Sequence, residues 1–135
     1  VLIHNWDGYF NNFRLHLDPR VGKFQFVPWD MDHILTLHPA RSNIRGANKL
    51  SERLLMNAEY RARYRAILLE LLEERLRVED LNAQIAVTAL QLAPAYAADR
   101  FLSSERVTIF EHAERVAEFN REWYAKIRRD LETLK

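Results

Sequence analysis

The sequence has 135 residues, 48% of them apolar and 29% charged, which is enough to fill the core of one compact domain and argues against a disordered chain. Twenty Lys and Arg against nineteen Asp and Glu leave a net charge of +1, which argues against the broad positive field that nucleic-acid or anionic membrane surfaces demand. No cysteine is present and no apolar run approaches the ~18 residues of a membrane span, so disulfides, thiolate nucleophiles, cysteine-held zinc and a membrane helix are excluded for this segment.

The composition divides at about residue 48. Residues 1–48 hold all three glycines, three of the four prolines and four of the five histidines, and from Leu50 onward there is no glycine. The first part reads as irregular with some strand, the second as helical. Phe13-Arg14-Leu15-His16-Leu17 and Phe24-Gln25-Phe26-Val27 alternate apolar and polar with period two. Between them Asp18-Pro19-Arg20-Val21-Gly22-Lys23 supplies turn chemistry, and the whole predicts a β-hairpin with a loop of about five residues. Pro28 cannot donate to a ladder, so the second strand is expected to end there or to run along an edge. Residues 36–48 read as a loop.

Three or four helices follow. Ser51 is the predicted cap of a short helix through Met56. Asn57 caps the next, whose stripe is Tyr60, Tyr64, Ile67, Leu68, Leu71, Leu72 and Leu76. A third covers 79–93, with Glu79 and Asp80 at its start and Leu81, Ile85, Leu90 and Leu92 apolar; Pro94 is expected to end or kink it. Ser103 or Ser104 caps a last long helix with Val107, Phe110, Val116, Phe119, Trp123, Ile127 and Leu131 inward. These stripes are assigned to packing.

The residues that carry chemistry cluster in 4–33: His4-Asn5-Trp6-Asp7 with Asn12 five residues after Asp7, then the hairpin, then Pro28-Trp29-Asp30-Met31-Asp32. Taken singly, an Asp near an Asn is usually a turn device and two Asp after a strand are usually solvated. Their order resembles the layout with which protein-kinase-like folds build a phosphotransfer site. In that template the loop aspartate orients and deprotonates the attacking hydroxyl, while the asparagine and the aspartate beyond the hairpin hold Mg²⁺. Mg²⁺ takes hard oxygen ligands at ~2.1 Å, commonly one or two carboxylates with phosphate and water. A hairpin suits this demand because it returns two sequence-distant ends to one place.

The stretch NWDGYFNNFRLHLDPRVGKFQFVPWDMD is similar, more closely, to the core of the CotH kinase family. The matching features are Asp7 with Asn12, the turn Gly22-Lys23, and Pro28-Trp29-Asp30-Met31-Asp32; Leu54-Leu55-Met56-Asn57-Ala58-Glu59-Tyr60-Arg61 is similar to the segment that enters that family's helical lobe. The resemblance implies an α+β, predominantly helical, kinase-like C-lobe spanning residues 1–135 as one domain. Residues 1–48 would carry the catalytic loop, hairpin and metal-binding segment, and residues 49–135 the helical subdomain. It implies transfer of the γ-phosphate of ATP to a protein hydroxyl, serine by family bias, with Mg²⁺ or Mn²⁺. Asp7 would be the catalytic base, Asn12 and Asp30 the ligands of the metal-nucleotide complex, and Asp32 a second metal carboxylate. A spore coat, cell-surface or secreted location is the matching expectation.

No nucleotide-facing N-lobe precedes Asp7, the lysines are only Lys23, Lys49, Lys126 and Lys135, and no glycine-rich loop exists. Chemistry-bearing residues follow Val1 almost at once. The sequence is therefore expected to be a piece of a longer polypeptide, inactive without its N-lobe. Two alternatives stay open: a small-molecule phosphotransferase of the aminoglycoside type, and a helical structural or interaction module with a relic site. His33 beside Asp32 reads as a neighbour of the site before a ligand in it.

Overall fold

The computed structural model describes residues 1–5, 12–35, 43–45, 48–102 and 107–134. Strand β1 (Phe13–Asp18) pairs antiparallel with β2 (Lys23–Pro28). Phe13 faces Pro28, Leu15 faces Phe26 and Leu17 faces Phe24. Period-two alternation thus gathers these six residues on one face and leaves Arg14, His16, Asp18, Lys23 and Gln25, with Val27, on the other. The rings of Phe13 and Phe26 meet diagonally across the ladder with centroids 5.3 Å apart and planes tilted by 43°.

The strands reach Asp18 and Lys23, so the connecting turn is Pro19–Gly22, shorter than the loop predicted from sequence. Asp18 organises it. Its C=O accepts the N–H groups of Val21 (3.3 Å) and Gly22 (2.9 Å). Its Oδ1 accepts the Arg20 N–H (2.9 Å) and Nε (3.1 Å), and its Oδ2 accepts Arg20 Nη2 (2.9 Å). Gly22 closes the turn at φ +62°, where a Cβ would meet no atom within 4 Å. The demand for glycine there is purely one of backbone conformation.

Helix α1 (Lys49–Met56) begins one turn earlier than the sequence predicts. Its cap is Asn48, whose Oδ1 accepts the Ser51 N–H at 2.9 Å, and Ser51 is the third residue of the helix. Helix α2 (Ala58–Glu70) starts where predicted: Asn57 Oδ1 accepts the N–H groups of Glu59 (2.9 Å) and Tyr60 (3.2 Å). It runs into a π-helical turn, Leu71–Arg75. That wider turn resets the phase of the apolar stripe. Leu68 and Leu72 are buried, whereas Tyr60 and Ile67, predicted to pack, are about half exposed.

Helix α3 (Val78–Ala98) does not end at Pro94. The missing Pro94 N–H deprives one carbonyl, that of Leu90, of its donor, and Leu90 lies on the exposed side at 64% exposure, open to water. The same exposure overturns the packing role predicted for Leu90 and Leu92, and Ala89 is the buried residue of this helix. Helix α4 (Ile109–Thr133) opens on Thr108. The Glu111 N–H donates to Thr108 Oγ1 (3.2 Å) and the Thr108 N–H donates to a Glu111 carboxylate oxygen (2.6 Å), a reciprocal capping box. The predicted caps Ser103 and Ser104 lie outside the described residues, and the helix begins after them. Trp123, Ile127 and Leu131 are buried as predicted, and Phe110 is half exposed.

About 63% of the described residues are helical, so the fold is α+β and predominantly helical, with its hairpin near the N-terminus. They form two compact units, one of Val1–Arg65 with Asp130–Lys135 and one of Ala66–Arg129. In the first, Leu2, Ile44, Leu55, Leu131 and Leu134 are buried. There the Tyr64 hydroxyl donates to the Ile44 C=O, and Arg65 Nε donates to the Leu131 C=O at 3.1 Å. Arg61 Nη1 donates to the C=O of Leu55 at 2.8 Å, serving an otherwise open carbonyl at the end of α1. In the second unit, Leu68, Leu72, Ala89, Ala117, Trp123, Tyr124 and Ile127 are buried.

Two carboxyls tie these local devices to pH. The Arg20 side chain, and then the Arg20 N–H, hold Asp18 below its ordinary range. The Thr108 N–H, and then its side chain, do the same for Glu111. A carboxyl that binds its proton more weakly in the folded state stabilises that state fully above its unfolded pKa. The contribution disappears as pH falls through the folded value. Asp18→Asn and Glu111→Gln are therefore expected to lower thermal stability at neutral pH. The gap between wild type and each variant should close on acidification, as followed by circular dichroism.

Candidate functional site

The stretch after β2 is set by the hairpin ladder. The Trp29 N–H donates to the Asn12 C=O at 3.2 Å, which continues the register by one pair beyond Phe13 and Pro28. Asn12, buried to 6% exposure, therefore stands opposite Trp29 and one residue away in register from Asp30. The turn at Pro19–Gly22 and the pairing of six residues on each strand are what bring these two positions together across eighteen residues of chain.

A second tie lies alongside. Asn5 Nδ2 donates to Met31 Sδ at 3.0 Å, and the Leu35 N–H donates to the Ile3 C=O at 2.9 Å. Both residues that border the 6–11 stretch, Asn5 and Asn12, are thus held to the 29–31 segment. Asp7 and Trp6 lie outside the described residues. Asp7 is two residues along the chain from Asn5 and five from Asn12.

Asp30 adopts φ +55°, the left-handed region. Non-glycine residues rarely enter it, and Asp and Asn do so most readily because their short polar side chains bond locally. This conformation turns the chain away from the line of β2. Two further residues with positive φ, His4 (+48°) and Leu35 (+55°), lie in the segments joined by the Ile3–Leu35 bond. Strained backbone of this kind persists only where the surroundings over-determine it.

Asp30 and Asp32, two residues apart, would share a face only if the strand continued past Pro28. The strand ends at Pro28 and Asp30 leaves the extended region, so period-two alternation does not relate the two carboxylates. Asp32 is exposed, with Oδ2 3.5 Å from His33 Nε2. Among the described residues no three His, Cys, Asp or Glu side chains form a metal-holding group.

Trp29 is 48% exposed, and the Arg14 guanidinium lies 5.9 Å from its ring centroid, a cation–π contact from the polar face of β1. Lys23 is exposed, as a turn lysine should be. Sequence reasoning missed the Asn5–Met31 tie, the Arg14–Trp29 contact and the left-handed Asp30. Only the last had a signal, the strand-ending Pro28 two residues before an Asp.

The donors present suit a hard divalent cation. Asn12 and the two aspartates offer amide and carboxylate oxygens, and there is no thiolate to favour a softer ion.

The family model described as CotH kinase protein matches residues 1–129. Among curated proteins, the inner spore coat protein H of Bacillus subtilis (strain 168) is 25% identical over 135 aligned residues, covering 93% of this chain and 37% of that protein. The chain thus spans little more than a third of the length of that relative.

Proposed function

The chain belongs to the CotH kinase protein family, and within it we propose that residues 4–33 form the phosphotransfer and metal-binding part of a protein kinase acting on a serine hydroxyl with ATP. The observation that carries this reading is the Trp29–Asn12 hydrogen bond, which sets Asn12 beside Asp30 across the hairpin. The Asn5–Met31 contact supports it from the other side of the Asp7 stretch.

In this reading Asp7 accepts the proton of the acceptor hydroxyl as its oxygen bonds to the γ-phosphorus and ADP leaves. Asn12 and Asp30 would hold Mg²⁺ or Mn²⁺, with Asp32 as a further carboxylate. The cation neutralises phosphate charge when bound. Asn12 is buried and its backbone is fixed by the bond to Trp29, which restricts where its amide can lie before nucleotide arrives. Pre-positioning of this kind carries most of the catalysis in phosphoryl transfer. The nucleotide-facing lysine and glutamate come from an N-lobe in the longer polypeptide. A coat or surface protein is the acceptor class that the spore coat relative suggests.

The test is ATP titration of the full-length protein by calorimetry, with Mg²⁺, with Mn²⁺ and with chelator. It is followed by phosphoamino-acid analysis of an acceptor protein. Binding is expected only with metal, and label is expected on serine. Absence of metal-dependent binding in the full-length protein would overturn the proposal and leave the helical module with a relic site. Label on a small-molecule acceptor alone would favour the aminoglycoside-type alternative.

A further inference from the structure

The second unit holds a buried polar network that the site chemistry does not use. Asn120 is fully buried, and its Nδ2 donates to Asn82 Oδ1 at 2.9 Å. Asn82 Nδ2 donates in turn to the Ala117 C=O at 3.1 Å. With its nitrogen committed to Ala117, Asn82 must present oxygen to Asn120, so the orientation of both amides follows from the bonds themselves. Asn120 Oδ1 is then left without a hydrogen-bond partner, and so is the hydroxyl of Tyr124, which is only 2% exposed. Burial pushes the Tyr124 phenol up, consistent with a hydroxyl kept from bulk solvent.

The two residues that carry these orphaned atoms sit one turn apart on the same face of α4. Residues four apart lie one above the other on a helix, and helical side chains lean toward the N-terminus, so the Tyr124 ring lies over the turn that carries Asn120. Their chemistry is complementary: an amide oxygen only accepts, and a phenol can donate. An unpaired buried polar atom bears its whole desolvation penalty, which exceeds the net gain of an ordinary hydrogen bond. Native interiors avoid two such penalties side by side, and the usual remedy is an internal water with two or more polar partners.

We propose that Asn120 Oδ1 and Tyr124 Oη together bind one internal water molecule, the phenol donating to the water and the water donating to the amide oxygen. The water extends the Ala117–Asn82–Asn120 chain to Tyr124, a further turn of α4, and so helps to hold α3 in one register against α4. Side-chain amides placed in an apolar seam specify register in this way, since every slipped alignment would break them. The inference is independent of any phosphotransfer activity.

A high-resolution crystal structure of the full-length protein is the direct test. One water within hydrogen-bond distance of both atoms is expected. A dry pair, or a protein atom from elsewhere bonded to either, overturns the proposal. Thermal denaturation supplies a second measurement. Tyr124→Phe is expected to lower Tm by about 3 °C through loss of the bridge. In an Asn120→Leu background, where the bridge is already gone and the hydroxyl stands unpaired, Tyr124→Phe should no longer lower Tm. A Tm unchanged or raised by Tyr124→Phe alone overturns the proposal, since deleting an unpaired hydroxyl would relieve a penalty.

Discussion

Replacing Asp30 with alanine is expected to abolish metal-dependent ATP binding by the full-length protein. Asp30 is exposed and no described hydrogen bond or ion pair uses its carboxylate, so the substitution leaves no unpaired buried partner. One complication comes from the backbone. At φ +55° alanine is strained by about 1–2 kcal/mol relative to its preferred conformations, and a shift in the segment after Pro28 would also disturb the site. Asp30→Asn separates the two effects, because asparagine tolerates the left-handed region while lacking the charge. Calorimetric titration with Mg²⁺-ATP should show binding lost in Asp30→Ala and weakened at least ~10-fold in Asp30→Asn, a ~1.4 kcal/mol loss at the low end of charge-assisted hydrogen-bond energies. Unchanged affinity in both would remove Asp30 from the metal site.

Asp7→Asn should have the opposite profile. The proposed base does not hold the nucleotide, so affinity for Mg²⁺-ATP should be nearly unchanged, while kcat for phosphotransfer falls by at least ~10²-fold, the low end of general-base contributions. Asparagine keeps the size and one acceptor oxygen of aspartate but cannot take the hydroxyl proton at neutral pH. Single-turnover rates measured at saturating nucleotide separate this from a binding defect. Wild-type turnover in Asp7→Asn would exclude it as the base and would leave the metal assignments to Asn12 and Asp30 standing on their own test.

The family and the hairpin were legible because their determinants are local. Period-two alternation on either side of Asp18–Lys23 specifies a hairpin, and the hairpin alone carries Asn12 to Trp29. The cap at Asn57 was legible for the same reason: one side-chain oxygen reaches the next two or three N–H groups along the chain. Thr108 with Glu111 has the spacing of a capping box too, although the serines before it are equally good caps taken singly. Deciding among them depends on where the first turn of α4 has something to pack on.

Helix phase and backbone direction were not legible. Within α2 the side of the helix that is covered runs through Leu68 and leaves Tyr60 and Ile67 half exposed, and the π-helical turn Leu71–Arg75 then shifts the phase of the residues beyond it. Pro94 is accommodated within α3 because the carbonyl that loses its donor belongs to the exposed Leu90.

By itself, then, the sequence determined the alternating strands, the turn between them, the helical remainder and the residues with oxygen donors, since each depends on side chains a few positions apart. Tertiary structure alone decided the relation of Asp30 to Asp32 and the tie from Asn5 to Met31 across the site. It also decided the pairing of Asn82 with Asn120 in the seam of α3 and α4. These depend on where distant segments meet and on which carbonyls and amides remain open once they have met, and no period or motif encodes that.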